Sequence, residues 1–336
     1  MLAVKRLVWS DNKTEVLKGV TFSLNDKEAI GILVPQKKQG EALARIICGC
    51  DDADEGEVIF GDEIMSRRAL ALKKKIRLVP AVLVIDPSCT PVEYLDFVGR
   101  MLDIEEEKRY RQIKEALELL ALDSIQNKIF LHLSTEERCR LAIASSLIGN
   151  PETVVFENAF WGIDQRTVDS MLDVIELILK IKTVVFISQK PAEVKKLCSR
   201  VAILSDGKIV IDDNIEQIEK KINATEELHI KARGDGEQII DAIKALECVV
   251  SAVIDSTEAN GVHSIRIEHY PKEKIKDDLF EQLSKINVPM LAVQTFTLTL
   301  DDVYFSIASK EQDEVVEDSK KIGFLKSAPW GRRKNK

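Results

Sequence analysis

The chain has 336 residues, enough for roughly two domains that each bury a core of their own. Its 45% hydrophobic and 31% charged composition is that of a globular protein, and a net charge of −8 argues against a dedicated nucleic-acid binder. No secretory leader is expected, and no apolar run reaches the roughly 18 residues needed to span a bilayer. The six cysteines sit mostly within apolar periodic segments. Cys48-Gly-Cys50 has neither a second pair nor a histidine cluster to complete a metal or redox site, so reduced thiols are expected.

Residues 2–8 and 16–24 read as antiparallel strands joined by a polar turn at Asp11-Asn-Lys. An apolar run ending in Ile30-Gly31-Ile-Leu-Val34 reads as a buried strand. Ala42-Leu-Ala-Arg-Ile-Ile47 then opens an amphipathic helix, with a short polar turn between the two. Strand, turn and helix in that order are the frame of a phosphate-binding loop, G-x-x-x-x-G-K-[ST]. There backbone N–H groups cradle phosphates while the lysine and hydroxyl meet phosphate oxygens and Mg²⁺. Laid on that frame, Val34 takes the first glycine, and Pro35, Gln36, Lys37 and Lys38 the interior. Gln39 takes the second glycine, Gly40 the lysine and Glu41 the hydroxyl. The frame survives and the chemistry is gone.

Further on, residues 56–62 and 76–80 read as strands, and 91–150 as helical, with charged runs such as 105–111 forming solvated faces. Residues 153–156 and 183–187 are continuous apolar runs, the mark of parallel strands buried on both faces. Residues 201–204 and 209–211, joined at Asp206-Gly-Lys, read as a hairpin. The segment 222–310 reads as strand 227–232, helix 236–246, strands 248–255 and 262–268, helix 272–286, strand 290–296 and helix 299–309. Asn260-Gly261 marks the central hairpin, and the β-α-β-β-α-β order predicts a small α+β ferredoxin-like domain. His263 and His269 have no ligand spacing to each other and read as strand residues.

The motifs, taken together, carry a resemblance. Leu133-Ser-Thr-Glu-Glu-Arg-Cys-Arg-Leu-Ala resembles the signature helix of ABC transporter ATP-binding subunits, whose usual opening is L-S-G-G-Q. Val154-Val-Phe-Glu-Asn-Ala-Phe-Trp-Gly-Ile-Asp164 is similar to their Walker B strand and D-loop, Ser188-Gln-Lys-Pro-Ala-Glu to their H-loop segment, and Asp206-Gly-Lys-Ile-Val to their closing hairpin. The resemblance covers residues 1–220. It implies an α/β, P-loop NTPase-like ABC cassette with a mixed sheet core, an antiparallel β subdomain and a helical subdomain at about 91–150. It also implies a nucleotide held between the Walker residues of one subunit and the signature loop of another.

Against that pattern the chain departs where the chemistry is done. The adenine-stacking aromatic falls at Asp11, with Trp9 two residues earlier, and the Q-loop glutamine falls at Ala81. The Walker B aspartate becomes Glu157, and the catalytic glutamate becomes Asn158, whose amide is not a base. The H-loop histidine becomes Gln189. In the signature loop Leu133 and Ser134 stand, but Thr135, Glu136 and Glu137 replace Gly-Gly-Gln and would put two carboxylates toward a phosphate in trans. Ser134 with Glu137 three residues on also reads as a capping box. The D-loop Asp164 stands.

Leu298-Thr-Leu-Asp-Asp-Val-Tyr-Phe305 resembles the tails of ATPase subunits paired with ABC-2-type, exporter-like permeases. The expectation is therefore a catalytically silent cassette subunit, a structural or regulatory member of a membrane transport complex. It would be cytoplasmic and peripheral on the inner face of the membrane. Its partners would be an integral-membrane permease docked near residues 81–130 and a second cassette, either a separate ATPase subunit or another copy of itself. No cofactor and no metal are expected. Two alternatives stay open: a functional subunit that binds ATP and Mg through divergent motifs, and an adaptor without a permease. The tail 311–336 has five acids at 311–318, then seven basic residues interleaved with Phe324, Leu325 and Trp330. It reads either as a solvated end or as a juxtamembrane anchor on anionic lipid.

Overall fold

The structure is a computed structural model that describes residues 1–222, 226–258, 260–272, 274–296 and 298–309. The charged tail at 311–336, and with it the lipid-anchor reading, lies outside them. Among the described residues two compact units are present: Met1–Ile215 with residues 304–309, and Glu216–Val303.

In the first unit, β1 (Leu2–Asp11) and β2 (Thr14–Leu24) form a hairpin. Its turn residues Asn12 and Lys13 both have positive φ, the backbone that matches strand twist in a tight hairpin. After β3 (Ala29–Leu33) and α1 (Lys37–Ile47), β4 (Glu55–Phe60) and β5 (Glu63–Ile64) extend that hairpin into a four-stranded sheet, β2-β1-β4-β5. Next come α2 (Leu70–Lys75), which the sequence reading did not contain, and β6 (Ile76–Val79).

The helical subdomain is α3 (Pro91–Met101), α4 (Glu106–Leu119) and α5 (Thr135–Leu147). Thr90 and Glu93 cap α3 reciprocally with Pro91 in its first turn, so the start is written in three side chains. Then follow β7 (Thr153–Glu157), α6 (Gln165–Leu179), β8 (Thr183–Ser188), α7 (Pro191–Leu197), β9 (Arg200–Ser205) and β10 (Lys208–Asn214).

The central sheet runs β10-β9-β3-β8-β7-β6, with every pair parallel except β10 on β9, and is therefore mixed. Every residue of β7 and β8 is buried, as their unbroken apolar runs require. Phe186 lies between Phe156 and Phe160, with ring centroids 5.6 and 6.1 Å away. The carboxyl ends of β3, β8, β7 and β6 share one edge, the place where open α/β sheets present ligand sites.

At the far side of the sheet, Arg200 donates to both oxygens of Asp212 (2.8 and 2.9 Å) and to Glu28 Oε1 (2.8 Å). Partial burial opposes ionisation of Glu28, but the Asn25 N–H and the Arg200 guanidinium outweigh it and hold its carboxyl below the ordinary value of 4.5. A carboxylate depressed in the folded state stabilises above its unfolded pKa, and that contribution is lost as pH falls through the folded value. Arg200→Ala should therefore cost about 1–2 kcal/mol at neutral pH, the partial exposure discounted. The gap from wild type in acid unfolding should close as pH falls below 4.5 and through the depressed folded-state value; a gap that persists once the carboxyl is protonated would assign the loss to packing alone.

The second unit contains α8 (Ile215–Ile222), which crosses in from the first, then β11 (Glu226–Arg233), α9 (Gly236–Lys244), β12 (Val249–Thr257), β13 (Val262–His269), α10 (Ile275–Lys285) and β14 (Met290–Phe296). Its sheet is antiparallel throughout, in the order β12-β13-β11-β14, which is the ferredoxin-like arrangement. Leu228, Ile230, Ile239, Ile265, Ile267 and Leu279 form its core. Residues 300–309 are helical. Among the described residues, no helix is long and apolar enough to cross a membrane.

Candidate functional site at the carboxyl edge of the sheet

The phosphate-loop frame folds differently from the expectation. The sequence reading put a polar turn before a helix opening at Ala42; α1 begins at Lys37 instead, leaving only residues 34–36 as the link. Lys37, Lys38 and Gln39 are good helix formers with no glycine among them, so the would-be loop has coiled into the first turn. The Gln39 N–H is taken by the Gln36 carbonyl at 3.0 Å. No residue from 34 to 41 has positive φ, so the alternating backbone of a phosphate nest is absent.

Packing explains two of the substitutions as one. Val34 is fully buried, and a Cβ built on Gly40 would lie 2.9 Å from Val34 Cγ2 and 3.0 Å from Ile187 Cγ2. The side chain at the first-glycine position occupies the space in which a lysine stem at position 40 would begin. Gln39 is buried, with its Oε1 lacking a hydrogen-bond partner.

The loop cations are engaged. Lys38 pairs with Asp11, at the position where an adenine platform would stand. The Lys37 ammonium lies 5.4 Å from the centroid of Trp161, a cation–π contact. Trp9 is half-buried and packs against the core. Neither Trp161 nor Tyr304 was singled out as a site residue in the sequence. Tyr304 is buried, and its hydroxyl donates to the Val34 carbonyl at 3.2 Å; the only sequence signal was its place in the 298–305 stretch.

Next to the loop, side chains stitch neighbouring strand ends together. Gln189, just after β8, donates its amide to the Pro35 carbonyl after β3 at 2.9 Å. The Gln189 N–H donates to Asn158 Oδ1 at 3.2 Å, and the Asn158 N–H to the Ile187 carbonyl at 2.9 Å, joining β8 to β7. Asn158 holds this place with φ of +42°, a conformation asparagine tolerates better than most residues. The Ala81 N–H donates to Glu157 Oε2 at 3.1 Å, joining β6 to β7, and Asn158 Nδ2 donates to Glu157 Oε1 at 2.9 Å. Burial pushes the Glu157 carboxyl above its ordinary value, the Glu41 carboxylate adds to the rise, and its hydrogen bonds and Lys37 offset it only in part.

At the signature position, Ser134 Oγ accepts from the Glu137 N–H at 3.1 Å, and Glu137 Oε2 accepts from the Ser134 N–H at 2.7 Å, the capping box that the spacing predicts. Glu137 also pairs with Lys128 at 2.9 Å, and Glu136 with Arg140 at 2.9 Å. Both carboxylates are thus drawn back onto the chain's own cations. Burial works against ionising Glu137, but Ser134 and Lys128 together hold its carboxyl below the ordinary value. Leu133 is buried and Thr135 is exposed. Asp164 caps α6, accepting from the Thr167 N–H and hydroxyl at 3.2 and 2.7 Å. No cluster of three or more His, Cys, Asp or Glu side chains arranged for a metal occurs among the described residues.

Comparison with known proteins places this geometry. Residues 17–160 match the family model described as ABC transporter. The linearmycin resistance ATP-binding protein LnrL of Bacillus subtilis is 22% identical over 311 residues, covering 92% of this chain and 99% of that protein. The glucose import ATP-binding protein GlcV of Saccharolobus solfataricus is 24% identical over 304 residues, covering 85% and 84%. Among solved structures, a dimeric ATP-binding cassette in a post-hydrolysis state with ADP and Pi superposes with a TM-score of 0.58 at 20% identity, over 64% of this chain and 98% of that one. A nucleotide-free cassette from an ABC transporter gives 0.57 at 21%, over 66% and 94%.

Proposed function

Starting from a chain that carries an ABC transporter cassette, we propose that it serves as a silent cassette, a structural or regulatory subunit of a membrane transport complex. The observation that carries this reading is the stitched strand edge: the positions that would hold nucleotide, metal and catalytic base are bonded to one another. Phosphoryl transfer is catalysed almost wholly by positioning and charge stabilisation. Loss of a base or a charge-stabilising donor alone costs about 10²–10⁴ in rate, although such losses are not additive.

Binding is disfavoured on separate grounds. A triphosphate would meet the helical backbone at 37–41 in place of a nest. It would also meet Glu41 beside Glu157, two carboxylates with no lysine at position 40. The residues present do not fit Mg-ATP. Calorimetry on the full chain should show no Mg-ATP affinity tighter than millimolar. A micromolar constant would establish the ATP-driven alternative instead.

Exposed apolar side chains support a permease partner. Val82, Val84, Phe97, Met101 and Tyr110 are exposed within the 81–130 region, and Phe97 and Met101 stand one turn apart on α3. The chain should co-purify from membranes with an integral-membrane protein cross-linked through this region. Val84→Asp, placing a charge in that face, should weaken recovery about tenfold or more, equivalent to ~1.4 kcal/mol. Recovery of the protein only away from membranes, with no membrane protein cross-linked, would favour the adaptor reading.

A further inference from the structure

The second unit contains a cavity of about 400 Å³ on the helix-facing side of its sheet, beneath the link into α10. His269 lies in its wall. Along β13 the buried row runs Ile265, Ile267, His269, so the imidazole stands where the pattern asks for an aliphatic residue, and it is fully buried. Its Nδ1 lies 2.8 Å from the Tyr270 carbonyl, an acceptor, and so carries a proton. Its Nε2 has no hydrogen-bond partner.

Directly across the strand pair, Glu226 of β11 puts Oε2 3.9 Å from that nitrogen. A neutral imidazole nitrogen and a carboxylate oxygen are both acceptors. At this distance the two do not hydrogen-bond each other, so the buried Nε2 lacks a donor partner, and a buried polar atom left so is costly.

The rest of the lining narrows what that donor belongs to. Lys272 and Lys276 stand on the cavity wall, Lys272 paired with Asp278 at 2.6 Å. A simple amine would be repelled by them, and a simple anion by Glu226. A molecule with both charges satisfies both ends, while Leu228, Pro271 and Ile275 offer apolar surface to a small side chain. We propose that this cavity binds a small zwitterion of the amino-acid class, its ammonium donating to His269 Nε2 and Glu226 and its carboxylate facing Lys276. The site is independent of the strand edge in the cassette and of whether that edge is silent.

The test is calorimetry and thermal unfolding of the full chain with the common L-amino acids, each alone at millimolar concentration, alongside glycine and its N-trimethylated form, betaine. At least one amino acid should bind and raise the unfolding temperature, and betaine, which has no N–H, should not. His269→Leu fits the buried aliphatic row and should fold, yet bind at least tenfold more weakly. Glu226→Gln, at a half-buried strand end, should weaken binding by about tenfold as a charge-assisted bond is lost. The proposal fails if no amino acid binds, if betaine binds as glycine does, or if His269→Leu leaves the affinity unchanged.

Discussion

Replacing Gly40 by lysine should destabilise the cassette by about 1–3 kcal/mol, the usual cost of overpacking a filled core. The new Cβ would sit 2.9 Å from Val34 Cγ2 and 3.0 Å from Ile187 Cγ2, and Val34 has no room to retreat because it is fully buried. Val34→Gly alone should also destabilise, since it removes a buried side chain and loosens the backbone. The double variant should lose less than the sum of the two, with a coupling of about 1 kcal/mol or more, because each change makes space for the other. Denaturant unfolding of the four proteins measures this directly, and strictly additive losses would show that the two positions do not share one space. Adding Glu41→Ser to the double variant restores the first glycine, the lysine and the hydroxyl but leaves Gln39 at the second glycine, and hydrolysis should stay absent because Asn158 and Gln189 also remain. Appreciable turnover would place the catalytic base elsewhere.

Phe186→Ala should be the most damaging single truncation near the site, at about 3–5 kcal/mol. Its ring is buried in β8 and touches Phe156, one residue before Glu157, and Phe160, two after Asn158. Removing it empties the space beneath the residues that join the strand ends. Phe186→Leu keeps most of the volume and should cost roughly 1–1.5 kcal/mol. Trp9 and Trp161 both lie in the cassette, so their fluorescence reports its unfolding separately from that of the second unit. A loss below about 1 kcal/mol for the alanine variant would mean that the site collapses around the hole.

Local signals made much of this legible. The unbroken apolar runs gave β7 and β8, since no other short element buries both faces, and Ser134 with Glu137 gave the start of α5 because a capping box is complete within four residues. The β-α-β-β-α-β order of the second unit followed from periodicity and Asn260-Gly261, although α10 starts at Ile275, past Pro271, and not at 272. Other features depended on residues distant in sequence. That Gly40 answers Val34, that Lys37 lies by Trp161, and that Tyr304 reaches the Val34 carbonyl are contacts no window of sequence contains. The replaced motif residues could be read one by one as losses; that Gln189, Asn158, Glu157 and Ala81 bond to one another appears only once β3, β8, β7 and β6 lie side by side.

That chain of bonds bears on how the protein fares when energy runs short. A cassette that holds nucleotide draws stability from it, about 2.7 kcal/mol when the ligand stands at a hundred times its dissociation constant, and gives that up as the ligand is depleted. Here the same strand ends are held by Gln189, Asn158 and Glu157, whose supply never varies. On the silent reading, its melting temperature is the same in a starved cell as in a fed one, and its abundance beside a nucleotide-dependent partner rises in proportion whenever that partner begins to unfold.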